Sequence, residues 1–171
     1  DFLVKKGNLG KIIDKCIRVH GTAVAAEMLD NIKAQGYKHS TRSGITVAAF
    51  DATIPPKKAE LIADAEAKVD KINRNSERSD RVIEVWENCT SEVAKELKAN
   101  FDKYNPINMM LDSGARGNDS QLRQLAGMRG LIANTAGKTI EVPIKANYRE
   151  GLNILEYFIS SRGARKGLAD T

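Results

Sequence analysis

The chain has 171 residues, enough for one ordinary domain or two small ones. Its hydrophobic content of 42% and charged content of 29% form a soluble globular balance and exclude a disordered chain, and no apolar run approaches the roughly 20 residues that cross a bilayer. The net charge of +5 is mild and sits towards the ends, since residues 57–103 hold ten basic and eleven acidic side chains; the middle suits a solvated scaffold and the flanks suit anions.

No secretory signal is present, and a chain beginning at Asp1 points to processing or to a longer parent. Cys16 and Cys89 lie far apart and form no CxxC motif, and His20 and His39 are the only histidines. A zinc site would need all four scattered residues to converge, so reduced structural cysteines in a cytosolic protein are the better reading.

Residues 10–20, GKIIDKCIRVH, place Ile12, Ile13, Cys16 and Ile17 on one helical face, and Gly21 breaks it. Thr22 suits the N-cap of a second helix with Ala25, Met28, Leu29 and Ile32 as its buried stripe and Gly36 as its stop. Residues 37–43 read as a polar, basic loop. ITVAAF at 45–50 predicts a short buried strand, and Pro55 and Pro56 punctuate the chain before the next helix.

The strongest periodicity follows. Ile62, Ala65, Val69 and Ile72 repeat at 3-4-3 spacing, and Val82, Trp86, Cys89 and Val93 at 4-3-4. The intervening NRNSERS at 73–79 is polar, so the two helices form an antiparallel hairpin. Its outer faces alternate Lys and Glu. Such a hairpin is either a handle for a partner protein or simply a solvated face packed on its own domain.

Beyond Pro106, residues 109–130 read MMLDSGARGNDSQLRQLAGMRG. Two glycines flank Arg116 in a loop, Asn118, Asp119 and Ser120 are competent N-caps, and Leu122, Leu125 and Met128 follow at helical spacing. A glycine loop feeding a helix N-terminus exposes backbone N–H groups and the positive end of the macrodipole. Arg116 lies in that loop, and Arg123 lies within the first helical turns, where no dipole favours a cation. Both are candidates for phosphate contact. The chemistry alone is weak, because GARG is neither a P-loop nor a dinucleotide fingerprint and most such turns only reverse the chain. Residues 134–138 predict a turn, and TIEVPI at 139–144 a short strand ending at Pro143.

The last stretch, YREGLNILEYFISSRGARKGLADT, predicts a helix starting near Tyr148, with Leu152, Leu155 and Ile159 on an apolar stripe that Ile154 and Phe158 widen. Arg162, Arg165 and Lys166 alternate with Gly163 and Gly167. Each helical glycine costs roughly 1 kcal/mol against alanine, so the helix bends easily and lets another backbone approach. Basic groups there suit a phosphate backbone; they also suit an ordinary helix C-terminus.

The wording of these two stretches carries more than their chemistry. NYREGLNILEYFISSRGARKGLADT closely resembles the start of the bridge helix in the largest catalytic (beta-prime) subunit of bacterial RNA polymerase. MMLDSGARGNDSQLRQLAGMRGL resembles that family's MMADSGARG block and the helix after it. Departures are Arg162, where histidine is common and a permanent charge replaces a titratable ring, and Leu111, where alanine or serine is usual. The dense motifs cover residues 105–171. Arg42-Ser43-Gly44 and residues 54–58 match more weakly.

The resemblance implies four segments: 1–56 funnel-like, 57–104 the rim hairpin of the secondary channel, 105–147 the pore loop, and 148–171 the N-terminal part of the bridge helix. The fold expected is mostly α with minor β (α+β), part of a larger multidomain subunit. By the same resemblance, Arg116 and Arg123 would line the nucleotide channel and attract the triphosphate. Arg162, Arg165 and Lys166 would stand beside the active centre, and Gly163 and Gly167 would let the helix bend. Implied partners are the other polymerase subunits, template DNA and RNA, nucleoside triphosphates, and transcript-cleavage or regulatory factors at the hairpin, in the cytoplasm and with no membrane.

The family's catalytic magnesium ligands, written NADFDGD, do not occur here. Asp112, Asp119 and Glu141 are dispersed, whereas two-metal phosphoryl transfer needs clustered carboxylates. No cofactor is therefore expected in this chain, Mg2+ being bound elsewhere in the intact enzyme. The trigger loop is expected beyond Thr171, and the chain alone is expected to catalyse nothing. The contrasting expectation is a non-enzymatic helical docking module for transcription regulators or nucleic acid.

Overall fold

The computed structural model describes residues 2–72 and 78–171. The order of elements is α1 (Lys6–Ser43), a 3-10 turn (Ala49–Asp51), α2 (Lys58–Asp70), α3 (Arg78–Asn100), α4 (Pro106–Ser113), α5 (Asp119–Ala126) and α6 (Ile154–Asp170). They divide into two compact units, residues 1–51 with 102–118, and residues 52–101 with 119–171.

In the first unit, α1 breaks at Gly21, whose φ of 83° and ψ of 176° are closed to other residues without strain. The break falls where the sequence puts it. The second limb does not stop at Gly36, however. It continues to Ser43, so residues 37–43 are helical rather than loop, and Gly44 provides the left-handed cap with Arg42 in the last turn. A mid-helix glycine is a tolerable cost, and the better-equipped terminus wins. Ala25 is the buried residue of α1; Leu29 remains 39% exposed, so the expected stripe is largely open.

ITVAAF forms no strand. A lone extended segment needs a partner ladder, and instead Asp51 Oδ2 accepts from the Ala48 N–H at 2.6 Å and the chain winds into the 3-10 turn. Asn105 Nδ2 donates to the Asp51 carbonyl at 2.8 Å, while its own Oδ1 accepts from the Ile107 N–H at 3.0 Å and so caps α4, with Pro106 at the first helical position. Lys5 pairs with Asp112 on α4 at 2.7 Å.

The second unit holds the core. α2 and α3 pack as the periodicity requires: Ala65, Val82, Trp86, Cys89 and Val93 are buried with Met128, and Ile62, Val69 and Ile72 close the sides. Burying a large side chain of this kind contributes about 1.5–3 kcal/mol, which the short helices would lack on their own. The connecting residues of the hairpin, 73–77, lie outside the described residues.

α5 packs on α3 through Leu122 and Ala126, whereas Leu125 is 42% exposed, so its expected place in the apolar stripe is taken by Ala126. The chain leaving α5 returns over it. Tyr148 and Arg149 donate their N–H groups to the Gln124 and Leu125 carbonyls at 3.0 and 3.1 Å, satisfying the orphan acceptors of the helix end. Asn147 is fully buried; its Nδ2 donates to the Gly127 carbonyl and its Oδ1 accepts from the Glu150 N–H, both at 2.8 Å.

Between these points the chain makes a narrow antiparallel excursion. It is held by two isolated bridges, Gly130–Ile144 and Ala133–Thr139, and turned by Asn134, whose Oδ1 accepts from the Ala136 and Lys138 N–H groups at 2.9 Å. The turn at 134–138 matches expectation. TIEVPI does not become a strand, since Pro143 lacks a donor and the pairing reduces to single bridges. Among the described residues the architecture is mainly α, with β pairing confined to these bridges.

α6 begins later than Tyr148. Residues 148–150 form a turn, and Asn153 closes a capping box with Glu156: Oδ1 accepts from the Glu156 N–H at 2.8 Å, and Glu156 accepts in return from the Asn153 N–H at 3.2 Å.

Candidate functional site

Arg116 is exposed on the loop between α4 and α5, its N–H donating to the Met110 carbonyl at 3.4 Å. Arg123 belongs to the second unit, so the two channel candidates lie in separate compact bodies. Because α5 has only eight residues, Arg123 sits in its last turn rather than its first, where the carbonyl end of the helix does favour a cation. Its guanidinium is partly buried against Gly130, a Cβ on which would stand 3.2 Å from Arg123 Nη1 and 3.0 Å from Thr90 Oγ1. Burial, and then the charge of Arg129, lower the Arg123 pKa from the ordinary arginine value, and the group stays protonated at neutral pH. Arg123 has no ion-pair partner among the described residues.

Arg129 was not distinguishable in the sequence. Its Nε donates to Gln124 Oε1 at 3.3 Å, its guanidinium stands 5.0 Å from the Tyr148 ring centroid, and its Nη1 donates to Ser160 on α6. These partners lie up to 31 positions away, and no local signal announces them. No local signal announces the pairing of Lys58 with Glu150 either, the two lying 92 positions apart. The Lys58 side chain is buried and pairs with Glu150 at 2.5 Å.

On α6, Arg162 and Arg165 are exposed, and so are Ile154, Leu155, Tyr157 and Phe158, so most of the expected apolar stripe faces away from this chain's own core. The face turned inward carries Ser160 and Gly163. A Cβ on Gly163 would overlap Ile132 Cγ2, so the glycine lets the preceding loop come close. Lys166 reaches the Thr135 carbonyl at 3.3 Å and Asp170 at 3.8 Å. Gly167 meets nothing nearby, and α6 runs unbroken through both glycines.

Asp112 binds Lys5, and Asp119 binds Lys98 at 2.6 Å. Among the described residues no group of three or more His, Cys, Asp or Glu side chains could hold a metal ion. Cys16 and Cys89 are both free thiols. No described helix is long and apolar enough to cross a membrane.

Residues 63–150 match the family described as RNA polymerase Rpb1, domain 4, and residues 2–52 match RNA polymerase Rpb1, domain 3. The chain belongs to the RNA polymerase Rpb1 family. This Rpb1-family chain is 57% identical to the DNA-directed RNA polymerase subunit beta' of Clostridium acetobutylicum, 57% identical to that of Clostridium kluyveri and 55% identical to that of Clostridioides difficile. Each alignment covers all of the chain and 15% of the relative. Arg116, Arg123 and Arg129 fall inside the domain 4 match, whereas α6 lies beyond it and is matched through these whole-chain alignments.

Proposed function

We propose that this chain is a section of the largest catalytic subunit of a DNA-dependent RNA polymerase, in which it lines the path of incoming nucleoside triphosphates and supplies the first part of the bridge helix. The observation that carries this is the identity of 57% along the whole chain with bacterial beta' subunits. The geometry agrees with it. Arg123 is partly desolvated and has no ion-pair partner among the described residues, which suits contact with a triphosphate. Arg116 is exposed on a glycine-bounded loop suited to a first, solvent-side contact. Arg162 and Arg165 extend from the outer face of α6, suited to a nucleic-acid backbone, and Gly163 and Gly167 provide points at which that helix can bend.

Catalysis belongs to the assembled enzyme, with Mg2+ held by residues outside this chain. The chain works there with the other subunits, template DNA and RNA, in the cytoplasm. The α2–α3 hairpin offers its charged outer face to transcript-cleavage or regulatory factors. In the assembled polymerase, Arg123→Ala and Arg116→Ala raise the nucleotide concentration needed for half-maximal elongation and leave template binding unchanged. Unchanged nucleotide dependence in both variants removes them from the triphosphate path. Nucleotide incorporation by the purified 171-residue chain would overturn the assignment of catalysis to the assembly.

A further inference from the structure

We propose that Arg129 is a positioning residue that fixes the rotation of α6 about its own axis by holding Ser160. The inference rests on the reading of α6 as the beginning of the bridge helix.

The loop after α5 meets α6 at three successive places. Arg129 Nη1 donates to the hydroxyl of Ser160, a residue that is only 9% exposed. One turn later Ile132 fills the notch left by Gly163, and at the next position Lys166 binds the Thr135 carbonyl. The first contact is the directional one. The guanidinium is planar and is held from three sides, by Gln124 Oε1 at Nε, by the Tyr148 ring at 5.0 Å, and by Ser160. Its own backbone is pinned by the Arg129 N–H to the Ala146 carbonyl at 3.2 Å. A donor so constrained selects one azimuth for the helix, whereas the Ile132–Gly163 contact is apolar and tolerates sliding.

The azimuth matters because of what lies opposite. Arg162 and Arg165 follow Ser160 by two and five residues, which at 3.6 residues per turn puts them roughly 160° and 140° round the helix from it. Holding Ser160 against the loop therefore aims both arginines away from it. Without the Arg129 contact, α6 is held at this loop only by the Ile132 notch and the Lys166 bond to the Thr135 carbonyl, and small displacements at a reacting centre reduce turnover rather than ground-state affinity.

The test uses the assembled polymerase carrying Arg129→Ala, Arg129→Lys, Ser160→Ala and the double Arg129→Ala/Ser160→Ala, with Arg123→Ala as a reference. Arg129→Ala and Ser160→Ala are expected to lower the maximal elongation rate on the order of ten-fold with the nucleotide KM nearly unchanged, and the double variant to be no slower than Arg129→Ala alone. Amide exchange across α6 (Ile154–Asp170) rises in the same variants, and Arg129→Lys recovers part of the rate. The proposal is overturned if the two single effects multiply in the double variant. It is equally overturned if Arg129→Ala raises KM as Arg123→Ala does while α6 exchange stays at the parent level, which would make Arg129 a direct anion contact. Failure of the bridge-helix reading looks different: Arg129→Ala and Ser160→Ala would leave the elongation rate unmoved, while the coupling of Arg129 to Ser160 would still appear in amide exchange.

Discussion

Lys145 lays its ammonium over the indole of Trp86, 5.5 Å from the ring centroid, while also pairing with Glu66. The residue belongs to the chain returning from the antiparallel excursion, and the tryptophan is central to the hairpin core, so one side chain ties the two together. The ammonium is substantially exposed, and the charge is therefore worth less than the packing beneath it. Lys145→Met should cost less than about 1 kcal/mol in urea unfolding, whereas Trp86→Ala should cost about 3–5 kcal/mol. Equal losses would mean that the ion pair, rather than the buried ring, joins the excursion to the hairpin.

Gly130 has a φ of 79° and faces Thr90 and Arg123 at 3.0–3.2 Å from where a Cβ would stand. Gly130→Ala meets both a disfavoured backbone and a crowded site. A loss of about 1–3 kcal/mol is expected in chemical denaturation, and Thr90→Ala in the same chain should relieve part of it. A neutral Gly130→Ala would show that the loop can take another path.

Burial, followed by the charge of Glu92, raises the Cys89 thiol above its ordinary pKa, and its Sγ contacts the Leu61 carbonyl at 3.6 Å. The folded protein holds this proton more tightly than the unfolded chain does. Its contribution to stability is therefore complete below the unfolded thiol value of roughly 8.5, and is lost as pH rises through the higher folded value. Unfolding midpoints recorded from neutral to alkaline pH should fall in that window, and less so in Cys89→Ala. At neutral pH an alkylating reagent should modify Cys16 well before Cys89, since only the latter is buried. Mass spectrometry of partly alkylated protein reads this directly.

α6 presents Leu155 and Phe158 to solvent, with Phe158 65% exposed. Its tie to the unit is a few polar contacts and one apolar notch. In the 171-residue chain, α6 amides should exchange faster than those of α3, which buries six residues. Phe158→Ala should change unfolding by no more than about 0.5 kcal/mol, against about 2–5 kcal/mol for Leu97→Ala. Strong protection throughout α6 in the monomer would contradict this.

The hairpin was legible because its apolar residues repeat at the helical period and both partners come from adjacent helices. The break at Gly21 and the turn at Asn134 were legible because single residues dictate them. The end of α1 was not, since Gly36 and Gly44 offer the same local signal and only the position of the better cap decides. The two expected strands failed for a different reason: β propensity is local, but a strand exists only with a ladder partner, and neither segment has more than an isolated bridge. Of the candidate site, the arginines could be named from their motifs. Which arginine is partly buried, and that Arg129 reaches across 31 positions to Ser160, depends on how the returning chain folds over α5.

Ile132 and Gly163 share a single volume, the side chain of one occupying the space a side chain on the other would need. Position 163 can therefore not be enlarged alone. A methyl group at 163 becomes affordable only when 132 is trimmed, and a library that randomises the two together should return mirror-image pairs, large with none or small with small. Such reciprocal exchange would make this pair a ruler for the distance between the loop and the helix.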